Sequence, residues 1–277
     1  MNVLKDLRTI HAAFIVGMMQ RFRYPTWFLH LFLGPVVLTT TTILTYTSMI
    51  SPSAIQNFSQ VSGGITDIAG FVILGSGIAQ FWMFMLWGTG YFIENQRSAG
   101  TLEILFLTPT NKAVLLLGVA IQDFAFASLT IGTMVTLCSL AFGMNLYAVD
   151  PIGILLCFIL TVIALYAVGI FFTSFFVLTR SANLLANFLQ APIEYLSGMS
   201  FPVNAIPKLL LFFSALIPIT FGIDAFRRMS LAGASLATVR LDILGLIMHT
   251  IIFGLLGIWG LRFAEKQALK KGDISFY

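Results

Sequence analysis

Residues 152–178 read IGILLCFILTVIALYAVGIFFTSFFVL, a run of 27 positions without Asp, Glu, Lys or Arg. Wound as a helix at about 1.5 Å per residue it is about 40 Å long, more than the roughly 30 Å hydrocarbon core of a bilayer. A charge at the bilayer centre costs about 3 kcal/mol or more, so charge-free runs mark membrane spans more directly than helix propensity does. Four further runs qualify: 27–50, 68–93, 124–146 and 243–261. A sixth apolar region, 183–223, is interrupted by Glu194, Lys208 and four prolines, Pro192, Pro202, Pro207 and Pro218. That pattern predicts one span followed by short helices that dip into the membrane without crossing it.

The whole chain agrees with its apolar runs. Of its 277 residues 58% are hydrophobic and only 9% charged, where a soluble domain carries roughly a quarter charged residues. Such a chain has too few polar residues to cover a water-facing surface, so its apolar excess faces lipid. The expected fold is an all-α polytopic membrane protein with six transmembrane helices. Residues 27–263 form the six-span domain, with a cytoplasmic tail at 264–277.

Basic residues set the expected sidedness. With both termini in the cytoplasm, Lys5, Arg8, Arg21, Arg23, Arg97, Lys112, Arg180, Arg262, Lys266, Lys270 and Lys271 lie inside and Lys208, Arg227, Arg228 and Arg240 outside. Eleven against four is the asymmetry that the positive-inside rule demands. A seven-span alternative, with 209–223 crossing fully, gives ten against five. It is disfavoured because that stretch is short, contains Pro218, and would export the Lys266–Lys271 cluster. The expected outer re-entrant segment is 201–240. Ahead of the first span, Leu4, Leu7, Ile10, Phe14, Ile15, Met18 and Phe22 recur at helical spacing among Lys5, Asp6, Arg8, Arg21 and Arg23. Residues 1–26 are therefore expected to be an amphipathic helix on the cytoplasmic membrane surface.

Several chemistries find no residues to carry them. The Gly-Lys pair of a phosphate-binding loop occurs nowhere, and neither H-E-x-x-H nor G-x-S-x-G is present. His11, His30 and His249 are far apart, and Cys138 and Cys157 sit in apolar runs as small core residues do. No metal site, no cofactor, no catalytic residue and no nucleic-acid partner are expected, and no cleavable leader is apparent, because the first apolar run is late and long. Among intramembrane ionisable groups, Asp123 falls at the cytoplasmic boundary of its span. Glu194, beside Pro192, is either a substrate-path residue or a satisfied structural carboxylate in a broken helix.

The longest inner loop lies within 94–112 and begins Glu94-Asn95-Gln96-Arg97-Ser98-Ala99-Gly100-Thr101-Leu102-Glu103-Ile104-Leu105-Phe106-Leu107-Thr108-Pro109. Gly100 is expected to cap a short helix with Glu103 in its first turn, near the positive end of the helix dipole, and Pro109 to end it. Its four consecutive apolar residues, 104–107, cover most of a two-turn helix, which is either an interfacial anchor or a surface that needs a protein partner.

The run E-x-x-R-x-x-G-T-L-E-x-L-x-x-T-P resembles the loop between the second and third spans of type-2 ATP-binding-cassette (ABC) transporter permeases. A second likeness, to the segment after the fifth span in that family, lies in Ser197-Gly198-Met199-Ser200-Phe201-Pro202, Ile206-Pro207, Pro218-Ile219-Thr220 and Asp224-Ala225-Phe226-Arg227. The resemblance implies that Glu94, Arg97, Gly100, Thr101, Leu102, Glu103, Leu105 and Pro109 form a coupling segment that docks on a separate ATPase. It implies that Glu194, Ser197, Gly198, Phe201 and Pro202 belong to the substrate path. By the same likeness the chain is one permease of a dimer served by two ATPase subunits, in the multi-pass cytoplasmic (inner) membrane of a prokaryote, with ATP and Mg bound on the partner. The drug and lipo-oligosaccharide branch is the nearer in this loop. Export of a hydrophobic or amphipathic drug, lipid or glycolipid stands beside export of a lipid-linked polysaccharide and an ATP-independent transporter or scaffold.

The topology is tested by single cysteines at Gln267 and Ala205 in a variant lacking Cys138 and Cys157. They are expected to react with impermeant thiol reagents from opposite sides of the membrane; labelling of both from outside contradicts the six-span arrangement.

Overall fold

The computed structural model describes residues 3–49, 52–108, 111–146, 149–178 and 182–271. The chain forms helices α1 (Val3–Phe22), α2 (Pro25–Met49), α3 (Pro52–Val61), α4 (Ile68–Ser98), α5 (Leu102–Leu107), α6 (Lys112–Phe142), α7 (Pro151–Leu178), α8 (Ala182–Leu196), α9 (Lys208–Leu216), α10 (Pro218–Leu231) and α11 (Arg240–Lys271). A single 3-10 turn, Val203–Ala205, lies between α8 and α9, and no strand occurs among the described residues. By length and composition, four helices hold segments able to cross a membrane: Ile68–Gly88, Val114–Phe142, Pro151–Phe176 and Arg240–Ala264. The pair α9 and α10, bent by 96° at Ile217, adds a fifth if it is taken as one broken span.

Local chemistry sets the helix ends. Asp67 precedes α4 and accepts the Gly70 amide at 2.8 Å, while its other carboxylate oxygen accepts the Asn145 amide at 2.9 Å, joining the starts and ends of neighbouring helices. Asp150 caps α7 in the same way through Gly153 N–H, at 2.9 Å. Gly143, with φ +70°, closes α6, so 143–146 are not helical as the apolar run had suggested. At its other end α6 begins at Lys112, and Asp123 falls well inside a continuous helix. α11 likewise continues through 264–271, making most of the expected tail helical; residues 272–277 lie outside the described residues.

The core is built on α4 and α7. Trp82, Leu86, Leu165, Phe176 and Ile219 are fully buried in one apolar cluster, with Phe81 between the rings of Phe124 and Phe158. α11 lies along α7 through its glycines. A Cβ at Gly257 would sit 2.8 Å from the Phe171 amide nitrogen, and one at Gly260 would sit 2.7 Å from Ser174 Oγ. The repeat Gly254, Gly257, Gly260 therefore brings two backbones together within one chain, the close approach on which helix association in lipid depends.

A further expectation changes at α8. α8 has 15 residues, about 22 Å at 1.5 Å per residue, too short to cross the hydrocarbon core by itself. The N-terminal helix packs on α6. Ala13 and Gly17 face α6, whereas Leu4, Leu7, Met19 and Phe22 are exposed.

Gly257→Leu forces a side chain into the α7 backbone. It is expected to lower the thermal unfolding midpoint of the detergent-solubilised protein by an overpacking cost of about 1–3 kcal/mol. Unchanged melting contradicts the tight α7–α11 contact.

Candidate functional site

The segment joining α4 to α6 is tied at both ends. α4 finishes with Ala99 N–H donating to Asn95 O and Thr101 N–H to Gln96 O, both at 2.9 Å, while Gly100 has φ +65°. This is the glycine-closed helix end that needs a residue without Cβ. Gly100 thus ends α4 and does not cap α5; Thr101 occupies the N-cap position, and its hydroxyl turns back to Gln96 Oε1 at 2.6 Å. Glu94 and Arg97 belong to the last turns of α4, not to a loop. α5 ends at Leu107 as Thr108 becomes extended, with ψ 141°, the backbone that a following proline favours. Lys112, the first residue of α6, donates from Nζ to Thr108 O at 2.6 Å and holds the exit of α5.

α5 leaves apolar surface uncovered. Ile104 and Leu107, three residues apart and so on one face, are 64% and 76% exposed, whereas Leu105 is half-buried. The side chains of Glu94, Arg97, Leu102 and Glu103, and all of Pro109, lie outside the described residues.

A second polar assembly surrounds the break after α8. Gly198, with φ +82°, turns the chain out of helix, leaving carbonyls without intrahelical donors. Arg227 of α10 supplies them: Nη1 donates to Gly198 O and Nη2 to Met199 O, each at 2.6 Å, and Nε to Phe71 O at 3.1 Å. Its guanidinium also lies over the Phe71 ring, 3.5 Å from the centroid. Gly75 makes the room, since a Cβ there would be 1.8 Å from Nη2 and 2.2 Å from Met199 O. Arg227, counted from sequence as an external charge, is 2% exposed. Tyr46 OH donates to Ser200 O at 3.1 Å, and Ser200 Oγ donates to Glu194 Oε1 at 3.2 Å.

These contacts bring Glu194, Ser197, Gly198, Phe201 and Pro202 together. Ser197 and Pro202 are buried, Ser197 Oγ donates to Glu194 O at 3.2 Å, and Phe201 stacks on Tyr195. Glu194 is half-buried, and its Oε1 accepts the Ser200 hydroxyl. From sequence, Arg227 stands only as an external charge within the Asp224–Arg227 likeness, and Tyr46 is not singled out; the charged residues Asp224, Arg227 and Arg228 inside the otherwise apolar 218–231 segment are the available signal. The two assemblies lie far apart on one rod. Phe71 and Ser98 are 27 residues apart on α4, about 40 Å along its axis.

Residues 29–259 match the family model described as ABC-2 family transporter protein. The chain belongs to the ABC-2 transporter family. A search of curated proteins finds none that matches it. As an ABC-2 family member with several membrane-length helices, it is a multi-pass membrane protein, and membership implies work with an ABC ATPase.

Arg227→Met strips the break of its donors. A loss of about 3 kcal/mol or more is expected, read as a lower unfolding midpoint in detergent, with Gly75→Ala acting in the same direction. A midpoint equal to that of the unmodified protein contradicts the clamp.

Proposed function

We propose that the chain is the membrane-spanning permease subunit of an ATP-driven exporter that moves a hydrophobic or amphipathic substrate, a drug, lipid or glycolipid of the drug and lipo-oligosaccharide kind, out across the cytoplasmic membrane. The observation that carries this reading is the uncovered face of α5, Ile104 and Leu107, on a helix held at both ends between two long membrane helices. In an ABC-2 family member, such a surface fits docking on the ATPase. The absence of a phosphate-binding loop from the sequence supports placing ATP, Mg and hydrolysis on that partner.

In this reading six spans are formed by α2, α4, α6, α7, α8 with its following break, and α11. The bent pair α9 and α10 re-enters from the outer side, α1 lies at the inner interface, and both termini are cytoplasmic. Two permeases and two ATPases make the working unit. Closure of the ATPases pushes α5, which cannot swing freely because Gln96 and Lys112 hold its ends. The push enters α4 and α6. At the far end of α4, Phe71 and Gly75 form the seat of Arg227, so displacement of α4 reaches the Gly198 break and the residues on the proposed path.

Leu107→Glu and, separately, Glu103→Arg test the docking. Losing a partly desolvated contact or charge pair costs about 2–5 kcal/mol, a weakening beyond tenfold. Each variant is expected at normal abundance with loss of ATPase co-purification and of transport. Full retention of the ATPase by both variants contradicts the docking role.

A further inference from the structure

α1 and α6 meet in a register that rises along both helices together, so they run in the same direction. A Cβ on Gly118 would lie 2.7 Å from Ala13 Cβ and 2.9 Å from Ile10 O. One on Gly17 would lie 1.8 Å from Gln122 Oε1. One turn on, Arg21 Nη2 donates to Asp123 Oδ1 in an ion pair, with the guanidinium 4.7 Å from the Phe126 ring centroid and Phe22 against the same ring. Asp123 is 0% exposed, and its other oxygen, with no hydrogen-bond partner among the described residues, packs where a Cβ on Gly88 of α4 would lie only 1.9 Å away. The carboxylate is thus enclosed between α1, α4 and α6, and Arg21 is the cation that pairs with it.

A buried charge stripped of its partner is strongly unfavourable, whereas the intact pair is tolerated. α1 therefore cannot peel from α6 without breaking this pair and leaving Asp123 either an unpaired buried charge or obliged to take up a proton. α6 in turn starts at Lys112, which grips the carbonyl at the exit of α5. We propose that Arg21 and Asp123 are a positioning pair for transport: they lock α1 to α6, so that the N-terminal helix moves with α5 and α6 as one body and does not slide past them on the membrane surface. The part of this inference that concerns movement rests on α5 being the ATPase docking helix; the part that concerns the lock does not.

Nitroxide labels at Leu4, at the start of α1, and Leu137, towards the far end of α6, report the relation of the two helices in a Cys138→Ala, Cys157→Ala background; both positions are exposed. The distance between them is measured by pulsed electron resonance in nanodiscs. In the permease alone, Arg21→Gln is expected to shift and broaden the distance distribution, and an unchanged distribution overturns the lock. In the permease–ATPase complex with Arg21 intact, the distance is expected to stay within about 2 Å between the nucleotide-free and the ATP–vanadate-trapped states, below a full helix-register jump. A larger change on trapping overturns the single moving body even if Arg21→Gln fails to fold. Failure of any ATPase to associate counts against the proposed function and leaves the permease-alone arm decisive for the lock.

Discussion

In hydrocarbon, a backbone carbonyl without a donor costs several kcal/mol, so a membrane chain can leave helix only where something else satisfies it. Here that donor is Arg227. Its planar fork reaches three carbonyls from two separate segments, Phe71 on α4 and Gly198 and Met199 after α8, and its flat face covers the Phe71 ring. The break after α8 and the packing of α8 and α10 on α4 depend on this arrangement. Lysine has a single ammonium and no plane, and could not make it.

Close approach of helices supplies the second constraint. Lipid gives little drive for helix association, so backbones must come near enough for dispersion and polar contacts to count. Glycines at 257 and 260 seat α11 on α7, Gly118 and Gly17 seat α1 on α6, and Gly75 and Gly88 clear space for the Arg227 guanidinium and the Asp123 carboxylate. The first four let helices touch, whereas the last two let charged groups be enclosed. Polar chemistry therefore collects at two levels of the bundle: Arg21 with Asp123 beside the segment that follows α5, and Arg227 with Tyr46, Ser200 and Glu194 at the opposite end of α4.

Much of this was legible in the residue order because membrane insertion writes itself into long charge-free runs. α7 coincides with the run at 152–178, and the glycines of α11 fall on one face at their spacing. The short helix after Gly100 was legible from its glycine and the following proline, although Gly100 closes α4 and Thr101 opens α5. Charged residues were read less well. A count of basic residues by side treats each as solvated and so sets Arg227 outside, while the length of the 124–146 run sets Asp123 at a boundary; both are buried with partners 28 or more positions away in sequence. Pairings of that range leave no local pattern. On α1 the small residues Ala13 and Gly17 seat the helix on α6, with Ile10, Phe14 and Met18 of its apolar spacing half-buried and Leu4, Leu7 and Phe22 exposed.

The central claim is that force enters this permease through the uncovered face of α5. It is tested most directly by a photoreactive amino acid at Leu107, irradiated in native membranes and followed by identification of whatever becomes joined to it. The account predicts a cross-link to a protein with a phosphate-binding loop, gained from the cytoplasmic side and altered by ATP. A Leu107 that cross-links only to lipid in cells that carry out the transport contradicts it.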